Sequence, residues 1–109
     1  MIKKVFIPTP VEGLSRDEIH EIQHNALVAA GDYLNEEVEL IEDYADNDLT
    51  PLECLAENLK RMAKADYAVF VDGFKNDKGC RIELICSEAY GVPVLYAESK
   101  AGGDNNGSN

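Results

Sequence analysis

The stretch from Asp72 to Glu83 holds the residues best suited to acid–base or nucleophilic chemistry. Asp72 and Asp77 fall in a predicted strand-to-helix loop, and Glu83 falls in the first turns of the helix that follows. Carboxylates grouped in this way can hold positive charge, attack a carbon or pass a proton. Each also has a plainer reading: Asp72 as a turn residue, Asp77 as a helix N-cap, Glu83 as a complement to the helix dipole. Glu83 is flanked by Ile82 and Leu84, so part of its surroundings is expected to be apolar.

A second group is His20-Glu21-Ile22-Gln23-His24, which matches HExxH. That pattern sets two histidines one helical turn apart for zinc, with the glutamate activating water. An amphipathic helix carrying two histidines on its polar side reads the same, and no third ligand follows on a second helix. Asp43, Asp46, Asn47 and Asp48 superficially resemble a calcium loop. The sixth position from Asp43 is Asp48 where that loop needs glycine, and Pro51 interrupts it, so a solvated acidic loop is the better reading.

Of the three cysteines, Cys54 and Cys86 lie in apolar periodic stretches and read as small core residues. Cys80 follows Gly79 at a predicted helix start, a position that lowers a thiol's pKa. An odd count with no CxxC indicates neither a disulfide framework nor a zinc ribbon.

The elements that must position these groups are legible in outline. Residues 3–7 read as a buried strand ended by Pro8. Ser15 to Glu18 is a capping box. It opens a helix with Ile19, Ile22, Ala26, Ala29, Ala30 and Tyr33 on one stripe, ending near Gly31-Asp32. Val38, Leu40 and Ile41 mark a second strand. Thr50 to Glu53 is a second capping box, with Pro51 at the first helical position. Leu52, Leu55, Leu59 and Met62 continue that helix. Tyr67–Val71 is a continuous apolar strand, as expected when both faces are covered. Cys80 to Tyr90 is a third helix closed by Gly91, and residues 92–96 are a fourth strand.

The order βαβαβαβ predicts one α/β domain over residues 1–98, flavodoxin- or Rossmann-like. It would be a four-stranded parallel sheet in order 2-1-3-4 flanked by three helices. Residues 99–109 read as a polar tail too poor in apolar residues to pack. Ligands of such sheets bind beyond the carboxyl ends of the strands. That selects the loops 8–14, 42–50 and 72–79.

Charge narrows the partners. Ten Lys and Arg against 21 Asp and Glu give a net charge of −11. Basic residues gather only at Lys3-Lys4 and, spread out, at Lys75, Lys78 and Arg81. Polynucleotide binding needs basic surface to displace counterions and is excluded as the main function. Anionic membranes are disfavoured for the same reason. No apolar run approaches the roughly 20 residues that span a bilayer, which points to the cytoplasm. A helix N-terminus can still hold a small anion.

Three segments together resemble the nucleoside 2-deoxyribosyltransferase superfamily. They are Ala65-Asp66 with the apolar strand 67–71, then Gly73-Phe74-x-x-Asp77-x-Gly79-Cys80-x-x-Glu83, then Gly91-Val92-Pro93-Val94. The likeness is to its small bacterial and phage branch, covers residues 3 to about 97, and is specific from 56 to 95. The resemblance implies cleavage or transfer at an N-glycosidic bond of a nucleoside or nucleotide. Glu83 would be the nucleophile, and Asp77 the group that contacts the base and helps it leave. Thr9 and Gly13 would lie where phosphate-accepting relatives hold a phosphate. Asp72, Gly73, Phe74 and Gly79 would line the substrate loop.

The sequence departs from the family in four ways, one of them Pro8-Thr9-Pro10 in the first loop where relatives often have a Gly-rich turn. Asn58 stands where the family has a second aspartate, and Phe6 where the transferases have a tyrosine. The fifth strand is missing. The resemblance implies no cofactor. It implies a homodimer or higher oligomer, which agrees with apolar positions expected to be exposed at Leu27, Tyr33 and Tyr90. The alternative to catalysis is a protein that binds or sequesters a nucleotide in the same pocket, as in a phage–host conflict.

Overall fold

A computed structural model describes residues 2–42 and 48–97. The acidic stretch at Asp43, Asp46 and Asn47 and the tail 99–109 lie outside them. The elements are β1 (Lys3–Phe6), α1 (Arg16–Leu34), β2 (Val38–Leu40), α2 (Pro51–Met62), β3 (Tyr67–Val71), a 3-10 turn (Phe74–Asn76), α3 (Lys78–Tyr90) and β4 (Val94–Ala97). The strands form one parallel sheet in the order β2-β1-β3-β4, as the alternation predicts. The order reverses between β1 and β3, so the crevice for a ligand opens at their carboxyl ends.

Local chemistry starts each helix. In α1, Ser15 Oγ accepts the Glu18 N–H at 3.1 Å and Glu18 returns a bond to the Ser15 N–H at 2.8 Å. Thr50 and Glu53 repeat this at the start of α2. Two boundaries differ from expectation. Helix α1 runs past Gly31 to Leu34 and is capped by Asn35 in the left-handed conformation. Gly31 serves packing instead: a Cβ there would lie 3.2 Å from Val38 Cγ2. Strand β4 begins at Val94 rather than at 92, because the Val92 N–H is spent on Ser87 O at the end of α3.

The alternation of side chains across the sheet divides the core. Val5, Ile7, Val69 and Val71 face α1, where Ala26 and Ala30 pack on them. Phe6, Ala68 and Phe70 face the opposite way, toward Met62 of α2 and Cys80 of α3. Side chains of the size of Val69 or Phe70 each contribute roughly 1.5–3 kcal/mol when fully buried. Cys54 and Cys86, expected in the core, are half-buried, and Cys80 is the buried cysteine. Leu27 is half-buried against the α1-side core rather than exposed.

The start of β3 is tied to β1. The Lys4 N–H donates to Asp66 Oδ2 at 2.8 Å, and the Asp66 N–H donates to Lys4 O at 2.7 Å. No helix among the described residues is long and apolar enough to cross a membrane.

Candidate functional site

The loop after β3 supplies the first carboxylate. Asp77 ends the 3-10 turn and caps α3, its Oδ1 accepting the Cys80 N–H at 2.9 Å. This cap places the helix start at Lys78, two residues before the expected position. A Cβ on Gly79 would lie 3.3 Å from the same Oδ1, so glycine leaves the capping carboxylate room. Asp77 is half-buried.

Along α3 the residues turned inward are Cys80, Glu83 and Ser87, an i, i+3, i+7 stripe. Glu83 is only 3% exposed. Carboxylates are almost never buried to this degree without a partner or a purpose. Six residues separate Asp77 from Glu83, about 9 Å along a helix axis at 1.5 Å per residue. Helical side chains lean toward the N-terminus, so the Glu83 side chain leans toward the start of α3, where Cys80 lies. The thiol between them records both. Burial raises the Cys80 pKa most, then the negative charges of Asp77 and Glu83, then a hydrogen bond with Asp77. The lowered pKa expected at the helix start is thereby corrected: the carboxylates on either side and the buried setting outweigh the helix dipole.

Helix α2 faces this stripe. Ser87 Oγ donates to Glu83 O at 2.9 Å and lies 3.0 Å from Met62 Sδ. Both helices return from the carboxyl end of the sheet, so they run parallel. One turn before the Met62–Ser87 contact stand Asn58 and Glu83, which this register sets on facing turns. Asn58 is half-buried, and its Oδ1 accepts from Arg61 Nη1 at 3.4 Å.

The loop after β1 closes the other side of the crevice. Thr9 Oγ1 donates to Ile7 O at 2.8 Å and accepts from Gln23 Nε2 at 3.0 Å. A Cβ on Gly73, which has φ +87°, would lie 3.7 Å from Pro10 Cγ. The first and third loops therefore meet where the strand order reverses. Gly13, with φ +80°, is exposed and has open space around it.

The other candidates lie elsewhere. Phe74 is 4% exposed and belongs to the core, its ring centroid 5.4 Å from Phe70 and 5.6 Å from Tyr96. It does not offer an open face for a base. Asp72 is exposed and lines a groove on the α1 side with Asn25 and Ala29. His20 and His24 are exposed above β2 and share a groove with Gln23 and Glu42. Among the described residues no group of three or more His, Cys, Asp or Glu could hold a metal ion. Sequence reasoning missed Gln23 and Ser87, both buried polar groups. Their signal was position: each falls on an inward helical stripe despite its polar type.

The candidate residues are thus Asp77 at the cap of α3 and Glu83 on its inner stripe, Asn58 on α2, and Thr9 in the loop after β1, bonded to Gln23 of α1. No protein-family model, curated protein or solved structure matches the chain.

Proposed function

We propose that the protein breaks or remakes the N-glycosidic bond of a nucleoside or nucleotide, with Glu83 as nucleophile. The observation that carries this reading is the burial of the Glu83 carboxylate, one helical stripe from Asp77, at the carboxyl end of the sheet where the strand order reverses. The likeness of the segments around residues 65–94 to nucleoside 2-deoxyribosyltransferases supports it.

In this chemistry the Glu83 carboxylate bonds to the anomeric carbon as the bond from that carbon to the base nitrogen breaks. The departing nitrogen takes a proton from Asp77, leaving a glycosyl ester on Glu83. Water or a second base then attacks the same carbon, gives its proton to the Asp77 carboxylate and frees Glu83. Asn58 carries no titratable proton and serves as a hydrogen-bonding partner for a sugar hydroxyl. The Thr9 hydroxyl stands at the end of β1, where a phosphate of the substrate would lie.

A second reading has one observation in its favour: an amide, Asn58, and not a carboxylate, is the residue set opposite Glu83. On that reading the pocket binds a nucleotide without breaking it. A panel of nucleosides and nucleotides, assayed for both binding and free base, separates the two. The wild type is expected to release base, and Glu83→Gln to release it at least about a thousandfold more slowly while still binding the intact compound. Base release by Glu83→Gln at the wild-type rate would remove the carboxylate from the mechanism. Binding by the wild type with no base released from any compound would leave the second reading.

A further inference from the structure

Among the described residues the sheet ends on β2 at one edge and β4 at the other, and the two edges are built differently. Strand β2 is three residues long with Glu39 at its centre, and Glu36, Glu37 and Glu42 stand around it. Short length and charge are the usual means by which a protein stops its sheet from pairing with another. Strand β4, Val94-Leu95-Tyr96-Ala97, carries no charge, and neither do Val92 and Pro93 before it.

Pro93 does not blunt this edge. Its carbonyl accepts the Ala68 N–H at 2.9 Å, so its missing N–H lies on the side that faces β3. Backbone groups alternate sides along a parallel strand. Leu95 and Ala97 therefore also turn theirs toward β3. Val94 and Tyr96 turn both N–H and C=O to the open edge.

Apolar surface flanks β4 on both faces of the sheet. On the α1 side a groove of about 440 Å³ runs between Ala29, Tyr33 and Leu95. On the α3 side a groove of about 550 Å³ runs between Phe74, Ile85 and Tyr96. Tyr33 is 77%, Ile85 64% and Tyr96 52% exposed.

We infer that β4 is an interface on which a second copy of this chain pairs its own β4, antiparallel, about a two-fold axis at Leu95. The outward residues make this edge self-complementary. With the axis at Leu95, Val94 of each copy lies opposite Tyr96 of the other, and each pair exchanges both of its hydrogen bonds. Tyr96 then packs on a β-branched side chain, a favourable cross-strand pair. The two α1-side grooves meet around the paired Leu95 side chains, and the sheet becomes continuous with the charged β2 strands at both ends. A closed two-fold contact of this kind leaves no apolar edge exposed.

Sedimentation and light scattering on the full chain test this. Wild type is expected at twice the 12.0 kDa of one chain at micromolar concentration. Tyr96→Lys and, separately, Ile85→Lys are expected to weaken the dimer at least about tenfold with unchanged circular dichroism. Ile85 stands on the helix surface, so its variant remains informative if Tyr96→Lys fails to fold. Leu95→Cys is expected to form a dimer-linking disulfide on mild oxidation, because Cα atoms of such non-hydrogen-bonded pairs lie about 4.5 Å apart. A wild type that stays monomeric, which would leave the edge to a strand from another protein, overturns the inference. So does a dimer that neither lysine variant weakens, or one disrupted instead by Glu39→Lys on the opposite edge.

Discussion

Helices α1 and α3 press the same three-residue stripe onto opposite faces of one sheet, with different chemistry in it. In α1 the stripe is Gln23, Ala26 and Ala30; in α3 it is Cys80, Glu83 and Ser87. The spacing is identical, and small side chains in both let the helix approach the strands. The polar member of α1 is a neutral amide whose burial is explained by one bond to Thr9. The stripe of α3 holds two polar members, the hydroxyl of Ser87 and the carboxylate of Glu83. Burying a charge at that place costs more than burying an apolar residue of similar volume would. The difference separates a helix whose inner polar group is a neutral amide from one whose inner face carries the proposed nucleophile.

The sharpest way to break this contrast is to make α3 resemble α1. Glu83→Gln places an amide in the stripe, as at Gln23, and its expected loss of at least about a thousandfold in base release equals about 4 kcal/mol of transition-state stabilisation. Fold stability should change by about 1 kcal/mol or less.

Asp77→Asn is the next test. Asparagine caps helices as well as aspartate does, so the bond to the Cys80 N–H and the stability of α3 should survive. The amide has no proton to pass, and base release should fall about a hundredfold. A variant with full activity would reduce Asp77 to a cap.

Ser15→Ala acts on α1 and is expected to do the reverse. It removes the acceptor for the Glu18 N–H and should cost about 1 kcal/mol in denaturant unfolding, with base release unchanged.

The smallest effect is in acid. Glu18 and Glu53 are held below the usual carboxylate range, chiefly by the backbone N–H of Ser15 and of Thr50 and then by those residues' side chains. A carboxyl whose pKa is lower in the folded state adds stability that is complete above the unfolded value, about 4.3 for glutamate. That stability disappears as pH falls through the folded value. Helical circular dichroism followed through this acid range should show the loss, and Glu18→Gln, which keeps the bond but not the charge, should make that limb shallower.

The parts of this molecule legible in its sequence are those decided locally or by chirality. The two capping boxes need only residues three apart, and the strand order follows from alternation with right-handed crossovers. The candidate carboxylates could be named from the sequence because Asp77, Cys80 and Glu83 recur every three residues through the cap and first turns of α3. The same spacing shows why the thiol pKa rises, an effect hidden when only the helix start is weighed. Gln23 was hidden because its type marks it as surface, while its partner Thr9 is 14 residues away in another element. Phe74 reads as a ligand-facing loop aromatic, yet the 3-10 turn folds it back onto Phe70. Such facts depend on which surfaces meet, and periodicity does not carry them.

The reciprocal bonds between Lys4 and Asp66 span 62 positions of the chain. Closing a loop of that length costs roughly 4 kcal/mol of chain entropy beyond the constant term. On a ribosome β1 emerges first, yet its second neighbour in the sheet, β3, emerges only after α1, β2 and α2. Until then β1 is a strand with one side unpaired, its apolar Val5 and Phe6 dependent on whatever has already been made. Parallel sheets with such distant pairings fold slowly and expose their strands on the way, so the moment at which Asp66 meets Lys4 sets how long the nascent chain stays open to wrong partners.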